Sequence, residues 1–363
     1  MNAQGLILID VDVAALNNAG ISKTSNNDNS VKTKTIYKNG SSYVYVSGQA
    51  WRYWWRNSLQ RNCGWTMSPI ERGKKTVNTA LNPIQYPDDD VFGYMRAASQ
   101  DKKSEESEDV EDVDTKPKGK KSAKENVTVT RVSPLKNSVM VSVASVKPET
   151  NFSSMSRHIG NPVPYGKQEY SAVMKGMFSL DLDMVGTFSN YNKTGFMNLS
   201  EDLKKEALAV QGSEEIDDPY VANEKLIRLP LATRIQRATD TIKALKNISG
   251  GAMQTNNMAD VTPKFIILAT TKTGNHPFSH VVKSTGDRDE TAALNIKGLK
   301  EIIEDYKDDF EGKIFIGRRS GFFDDDNKEL EKLEAAYKDI VCYGPVNKMI
   351  DEYIKQLEEQ MKK

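Results

Sequence analysis

The chain has 363 residues, 38% hydrophobic and 28% charged, and its 50 basic and 50 acidic side chains cancel. That length suits two or three compact domains, or one domain with large insertions, and zero net charge excludes reading a nucleic-acid partner from global charge. The distant Cys63 and Cys342 exclude a disulfide framework, no apolar run reaches membrane-spanning length, and the start lacks a basic n-region; a cytoplasmic protein without a membrane partner is expected.

Along the chain, residues 5–13 alternate, with Ile7, Ile9, Val11 and Val13 opposed to Leu8, Asp10 and Asp12, which predicts a half-buried strand. Asn17 and Asn18 follow in a turn that tolerates positive φ and offers side-chain donors. Residues 46–59 then predict a helix. At 100° per residue Trp51, Trp54, Trp55, Ser58 and Leu59 share one side, while Gln49, Arg52, Tyr53, Arg56 and Gln60 share the other. Ser47 suits the N-cap, and Gly48 leaves the first-turn amides open to an anion. No acidic residue occurs from Asn29 to Ile70, where Lys32, Lys34, Lys38, Arg52, Arg56 and Arg61 stand. An arginine face with an open amide end and no carboxylate nearby is suited to phosphate.

Residues 63–98, punctuated by Pro69, Pro83 and Pro87, read as the irregular start of a large insertion. More than half of residues 99–126 are charged and none is aromatic, so the segment buries too little to offset its ordering entropy and reads as a mobile loop. Strands are expected over 127–132 and 139–146 around Pro134, and over 173–188. Between them, 147–171 reads as a projecting β-hairpin bearing Phe152, Met155, Arg157 and His158. Helices are expected over 199–209, 231–248, 291–310, 327–341 and 346–363, and strands over 263–270 and 313–317. In the helix 231–248, Ile235, Ala238, Ile242 and Leu245 should point inward and Arg234, Arg237, Lys243 and Lys246 outward. Gly250 and Gly251, next to Met253, mark a C-cap or a close approach of backbone to a ligand. The order of elements fits an α+β fold built on a split βαβ, ferredoxin-like core with an antiparallel sheet.

Catalytic material is sparse. Asp10 and Asp12 lack a third carboxylate or a histidine partner for a metal. The runs 88–90 and 324–326 lack the alternation and glycine of a calcium loop, and Pro277 separates His276 from His280. There is no phosphate loop, dinucleotide fingerprint or nucleophile elbow, and three histidines leave little for acid–base chemistry. A non-enzyme with neither metal nor cofactor is expected.

The block from Val46 to Arg52, with Trp54-Trp55-Arg56 behind it, resembles the DevR branch of the backbone subunits of type I CRISPR Cascade complexes, and points to subtype I-B. So do Leu16-Asn17-Asn18-Ala19-Gly20, Met177-Phe178-Ser179-Leu180-Asp181 leading to Val185-Gly186-Thr187-Phe188, and Gly250-Gly251-Ala252 followed by Pro263-Lys264-Phe265. The resemblance implies a hand-shaped protein with an RNA-recognition-motif-like palm (1–61, 131–146 and 172–363), a finger insertion (62–130) and a β-hairpin thumb (147–171). Copies would stack along the spacer of a CRISPR guide RNA and leave its bases free to pair with target DNA for antiviral defence. The cap, large and small subunits and a repeat-processing endonuclease would be further partners, and the subunit itself would not cut.

On that reading Asn17, Asn18, Ser47, Gly48, Gln49, Arg52, Arg56 and Arg61 hold guide phosphates, and Gly250, Gly251 and Met253 bring backbone close to the RNA. Phe152 or Met155 would wedge against a flipped base, with Arg157 and His158 on the RNA backbone. Two other readings make different demands. An RNA-cleaving backbone subunit of a type III-like effector would rely on Asp28, and a stand-alone single-stranded RNA binder would need exposed aromatics on the central strands.

Overall fold

A computed structural model describes residues 1–21, 30–72, 77–96, 128–155, 160–161, 163–192, 196–285 and 292–363. The predicted mobile loop 99–126, Asp28, Arg157 and His158 lie outside the described residues. The chain forms two compact units, one of Met1–Met67, Pro134–Val185 and Leu231–Lys363, the other of Ser68–Ser133 and Gly186–Pro230. Among the described residues no helix is long and apolar enough to cross a membrane.

The first unit is built from β1 (Asn2–Ala14), β2 (Val31–Thr33), β3 (Thr35–Lys38), β4 (Ser41–Val46), α1 (Gly48–Cys63), β5 (Leu135–Asn137), β6 (Met140–Ser142), β7 (Glu149–Met155) and β8 (Val163–Asp181). It continues with α2 (Leu231–Lys243), β9 (Phe265–Thr271), α3 (Ile296–Asp305), β10 (Ile314–Arg318), α4 (Asn327–Ala336), β11 (Val341–Gly344) and α5 (Val346–Lys362). The sheet runs β11-β10-β9-β1-β8-β6-β4-β3. Its neighbours are antiparallel except β10 and β11, so the sheet is mixed. In its centre the last, first, third and second strands of the pattern β1-α1-β6-β8-α2-β9 lie side by side as β9-β1-β8-β6.

Both faces of this centre are covered, which is why β1 is buried from Ala3 to Ile9 instead of alternating. On one face Trp51 of α1 fits over Gly176, where a Cβ would stand 2.6 Å from the indole, and Trp55 meets Phe178 edge-on at 5.1 Å. The same face carries α5 over β9 and β10, with Tyr353 against Phe315. On the other face Leu6, Leu8, Phe265 and Ile267 pack under Phe278, Val281, Leu299, Ile303, Leu330 and Leu333. The expected alternation also fails at Val13, which is exposed at φ 42° inside a bulge between Val11 and Ala14.

Other expectations are corrected here. The helix 231–248 ends at Lys243 and tightens into a 3₁₀ turn, where Trp55 and Ser58 donate to the carbonyls of Thr241 and Ala244 at 2.8 and 2.7 Å. Arg237 is buried, because α2 is covered by both α1 and α5 and needs a wider inward stripe than one neighbour would demand. The helix 291–310 is a strand at 292–294 followed by α3, begun where the Asn295 side chain accepts from the Gly298 amide. The strand 173–188 stops at Asp181, whose carboxylate accepts from the amides of Asp183 and Met184 at 3.1 Å. The strand expected over 139–146 is confined to Met140–Ser142, and β5 and β6 both join β8.

The second unit is organised by the aspartate run set aside as a calcium loop. Asp88, Asp89 and Asp90 are all buried in a short helix, Pro87–Phe92. Asp88 accepts from the Ser68 amide at 2.9 Å, and Asp89 accepts from Ser68, Thr79 and Asn82. Asp90 pairs with Arg131 at 2.6 Å, both side chains essentially inaccessible, and accepts from the Gly186 amide. The Arg131 guanidinium lies 4.6 Å from the Phe188 ring centre, at the edge of a small core of Phe188, Leu199, Ala207, Ile227 and Leu229. Carboxylate hydrogen bonds thus help to fix this irregular stretch.

Candidate nucleic-acid interface

The helix α1 starts where Ser47, in an extended conformation, accepts from the Ala50 amide, and ends at Gly64 in the left-handed region. It buries Trp51, Trp54, Trp55, Ser58 and Leu59, so the aromatic side is anchored and the opposite side is presented outward. Gln49 and Tyr53 are exposed there, and Arg52 and Arg56 are half-buried.

Arg52 is not a loose surface cation. Its Nη1 donates to Leu135 O at 2.7 Å and to Asn137 Oδ1 at 2.9 Å. The amide of Asn137 donates in turn to Gly48 O at 3.3 Å, so one side chain ties the arginine to the first turn of its own helix. Burial, and secondarily the charge of Arg56, push the Arg52 guanidinium down to about 10. It remains charged at neutral pH, and the pair concentrates positive charge at one place.

Two other predicted segments reach the same helix end. Asn17 Oδ1 accepts from the Ser47 amide at 3.0 Å, and Asn18 opens a short strand paired with β2. The amide of Ala252 donates to Leu16 O at 2.9 Å. Gly250 lies on the indole of Trp54, where a Cβ would stand 2.2 Å from the ring, and Gly251 takes φ 113°. The close approach these glycines allow is to Trp54 and Leu16; it fastens the 250–253 turn to α1, with Met253 in the left-handed region. Arg61 is exposed on the last turn, nine residues beyond Arg52 and so about half a turn round the helix from it.

The geometry thus gathers Asn17, Ser47, Gly48, Arg52, Gly250 and Gly251 by named contacts, and adds Asn137, which sequence reasoning missed. A family model described as CRISPR-associated negative auto-regulator DevR/Csa2 matches residues 7–291. The chain belongs to the DevR/Csa2 family.

Two solved structures agree with the DevR/Csa2 assignment at the level of fold. One, described as a CRISPR RNA-guided surveillance complex, gives a TM-score of 0.50 at 9% identity, covering 98% of this chain and 99% of that one. The other, a CRISPR RNA-guided surveillance complex in a pre-nicking state, gives 0.51 at 10% identity, covering 98% and 100%. No curated protein matches the sequence.

In this DevR/Csa2 chain Phe152 and Met155 take part in none of the contacts just described. β7 pairs antiparallel with the first part of β8, Glu149 opposite Glu169 and Met155 opposite Val163. Phe152 is 70% exposed, and Met155 ends β7. The hairpin root is set by Glu169, 7% exposed, which accepts from Lys167 at 2.8 Å and Asn151 at 3.0 Å; the Lys167 hydrogen bond holds its carboxyl below the usual range.

The remaining reactive candidates are placed as follows. Asp10 and Asp12 are exposed at the end of β1, Asp12 accepting from Ser171. Burial and then Asp240 push the Cys63 thiol up to about 11, which leaves it a poor nucleophile. Among the described residues no three His, Cys, Asp or Glu side chains cluster to hold a metal.

Proposed function

We propose that this DevR/Csa2 chain is a guide-RNA-binding backbone subunit of a type I-B Cascade effector, which polymerises along the spacer and holds it for pairing with target DNA. The β9-β1-β8-β6 order with α1 and α2 supports reading the centre of the first unit as an RNA-recognition-motif-like palm. On this reading the β7–β8 hairpin is the thumb, with Phe152 or Met155 as its wedge, and the second unit supplies the fingers. The chain does no chemistry and needs no cofactor; copies of itself, the cap, large and small subunits and the repeat-processing endonuclease are its partners.

The single observation that carries the proposal is Arg52 of α1 fixed beside the helix start, with Arg56 about one turn further on, where the 16–18 and 250–253 turns converge on α1. Cations and amides without a base-reading platform suit phosphates, which any guide sequence offers, and base pairing supplies the specificity. The stand-alone reading is disfavoured by one specific feature: the central strands bury Phe265 and their aliphatic residues on both faces, leaving no aromatic platform for stacked bases.

The test is the variant Arg52→Ala with Arg56→Ala. It should weaken binding of unrelated guide RNAs alike and flatten the dependence of log K on log salt by up to about two. An unchanged affinity and slope in a folded double variant would contradict the proposal.

A further inference from the structure

The β7–β8 hairpin leaves the sheet on a single strand. β8 pairs with β1 as far as Tyr170, opposite Ala14, and with β7 from Glu169 outward. A two-stranded ribbon is marginal by itself, so its angle to the sheet depends on what grips its flank just beyond that point. The segment 30–34 does so. A Cβ at Gly166 would stand 2.5 Å from Ser30 Oγ, Lys167 bridges to Val31 in parallel, and Gln168 Oε1 accepts from the Thr33 amide at 3.0 Å and its hydroxyl at 3.4 Å. Ser30 and Thr33 are both buried. Gln168 Nε2 also donates to Thr150 Oγ1 at 3.5 Å, so one side chain of β8 reaches β7 and the segment alike.

The same segment is tied to the start of α1. The Lys34 amide donates to Asn17 O at 2.9 Å, Thr33 stands opposite Asn18, and Asn17 Oδ1 accepts from the Ser47 amide at 3.0 Å. A row of hydrogen bonds thus runs from the hairpin through Gln168, the 33–34 backbone and Asn17 to the helix that carries Arg52. We propose that Gln168 is a positioning residue: it locks the hairpin to α1 through the segment 30–34, so that the hairpin wedge and the arginine site meet one guide strand at a fixed spacing. The inference rests on the guide-binding reading and adds to it a residue that acts through the hairpin. Two contacts on one strand reinforce each other only while the chain between them holds both within reach.

The experiment titrates the full chain with a labelled synthetic guide RNA, for wild type, Gln168→Met, Gln168→Glu, the hairpin variant Phe152→Ala with Met155→Ala, and that variant combined with Gln168→Met. Methionine keeps the length of the side chain and removes the acceptor; glutamate keeps the acceptor. Gln168→Met should weaken guide binding several-fold with an unchanged salt slope, because no cation is removed, and Gln168→Glu should restore most of the affinity. The hairpin variant should cost several-fold in the wild-type background and almost nothing beside Gln168→Met, whereas a residue that only stabilises the fold would give additive losses. Additive losses, wild-type affinity in Gln168→Met, a Gln168→Glu chain as weak as Gln168→Met, or a hairpin variant without effect would each overturn the inference. If Arg52→Ala with Arg56→Ala still weakens the guide in that event, the guide-binding reading stands without it. If the arginine variant also has no effect, both fall.

Discussion

On the proposed reading Arg52 reaches a phosphate while bonded to its own chain, and Asn137 would reconcile the two. With its Oδ1 on the guanidinium and its amide on Gly48 O, it fixes the arginine relative to the helix start. Asn137→Ala should therefore lower guide affinity several-fold while costing about 1 kcal/mol of stability. In a double-mutant cycle Arg52→Ala should hide most of that affinity loss; additive losses would mean that Asn137 acts elsewhere. The place of Arg52 and Arg56 on the outward side of α1 was legible because a helix start and a stripe lie within one stretch of chain. Asn137 was not, because its partner is 85 positions away and nothing local marks it.

His276 gives a second prediction at this scale. Its Nε2 contacts Gly5 O at 2.9 Å, and burial first, then the charge of Lys175, hold its pKa below the ordinary 6.5. The folded state thus prefers the neutral ring. The stability tied to that preference is present above about pH 6.5 and is lost as pH falls through the depressed value. Denaturant midpoints taken between pH 7 and 5 should drop, and His276→Gln should reduce the drop; an identical pH profile in the variant would remove the histidine from the account.

Among the elements, α1 and the 250–253 turn interlock through Trp54 and Gly250. A methyl added at Gly250 would meet the indole at 2.2 Å, so Gly250→Ala should destabilise by about 1–3 kcal/mol and weaken guide binding. Gly274→Ala, where a Cβ meets nothing within 4 Å, is the matched control and should be near neutral. In the second unit Asp90→Ala would strand a buried guanidinium, and chemical denaturation should show a loss of about 3–5 kcal/mol.

Helix α1 was readable from its period, and its buried side is the predicted one residue for residue. The breaks at Lys243, Asp181 and Asn295 were not. They arise from side chains of Trp55, Ser58, Asp181 and Asn295 capturing backbone groups, which hydrophobic periodicity does not register. The structural role of the aspartate run 88–90 was not legible for a related reason: each carboxylate finds donors brought together only by folding.

For the molecule as a whole, the family blocks lie in order along the chain, so membership was legible early. The sheet order depends on pairings such as β1 with β8 and β9, separated by more than 150 residues, and no local pattern encodes them. The central claim is that the chain exists to hold guide RNA of any spacer sequence. The most direct measurement is to express the full chain with its co-purifying nucleic acid, size the particle and sequence what is bound. The account predicts a large ribonucleoprotein whose RNAs share a repeat-derived flank and differ in their interiors. A monomer that carries no nucleic acid and ignores added guide RNA at low salt would contradict it.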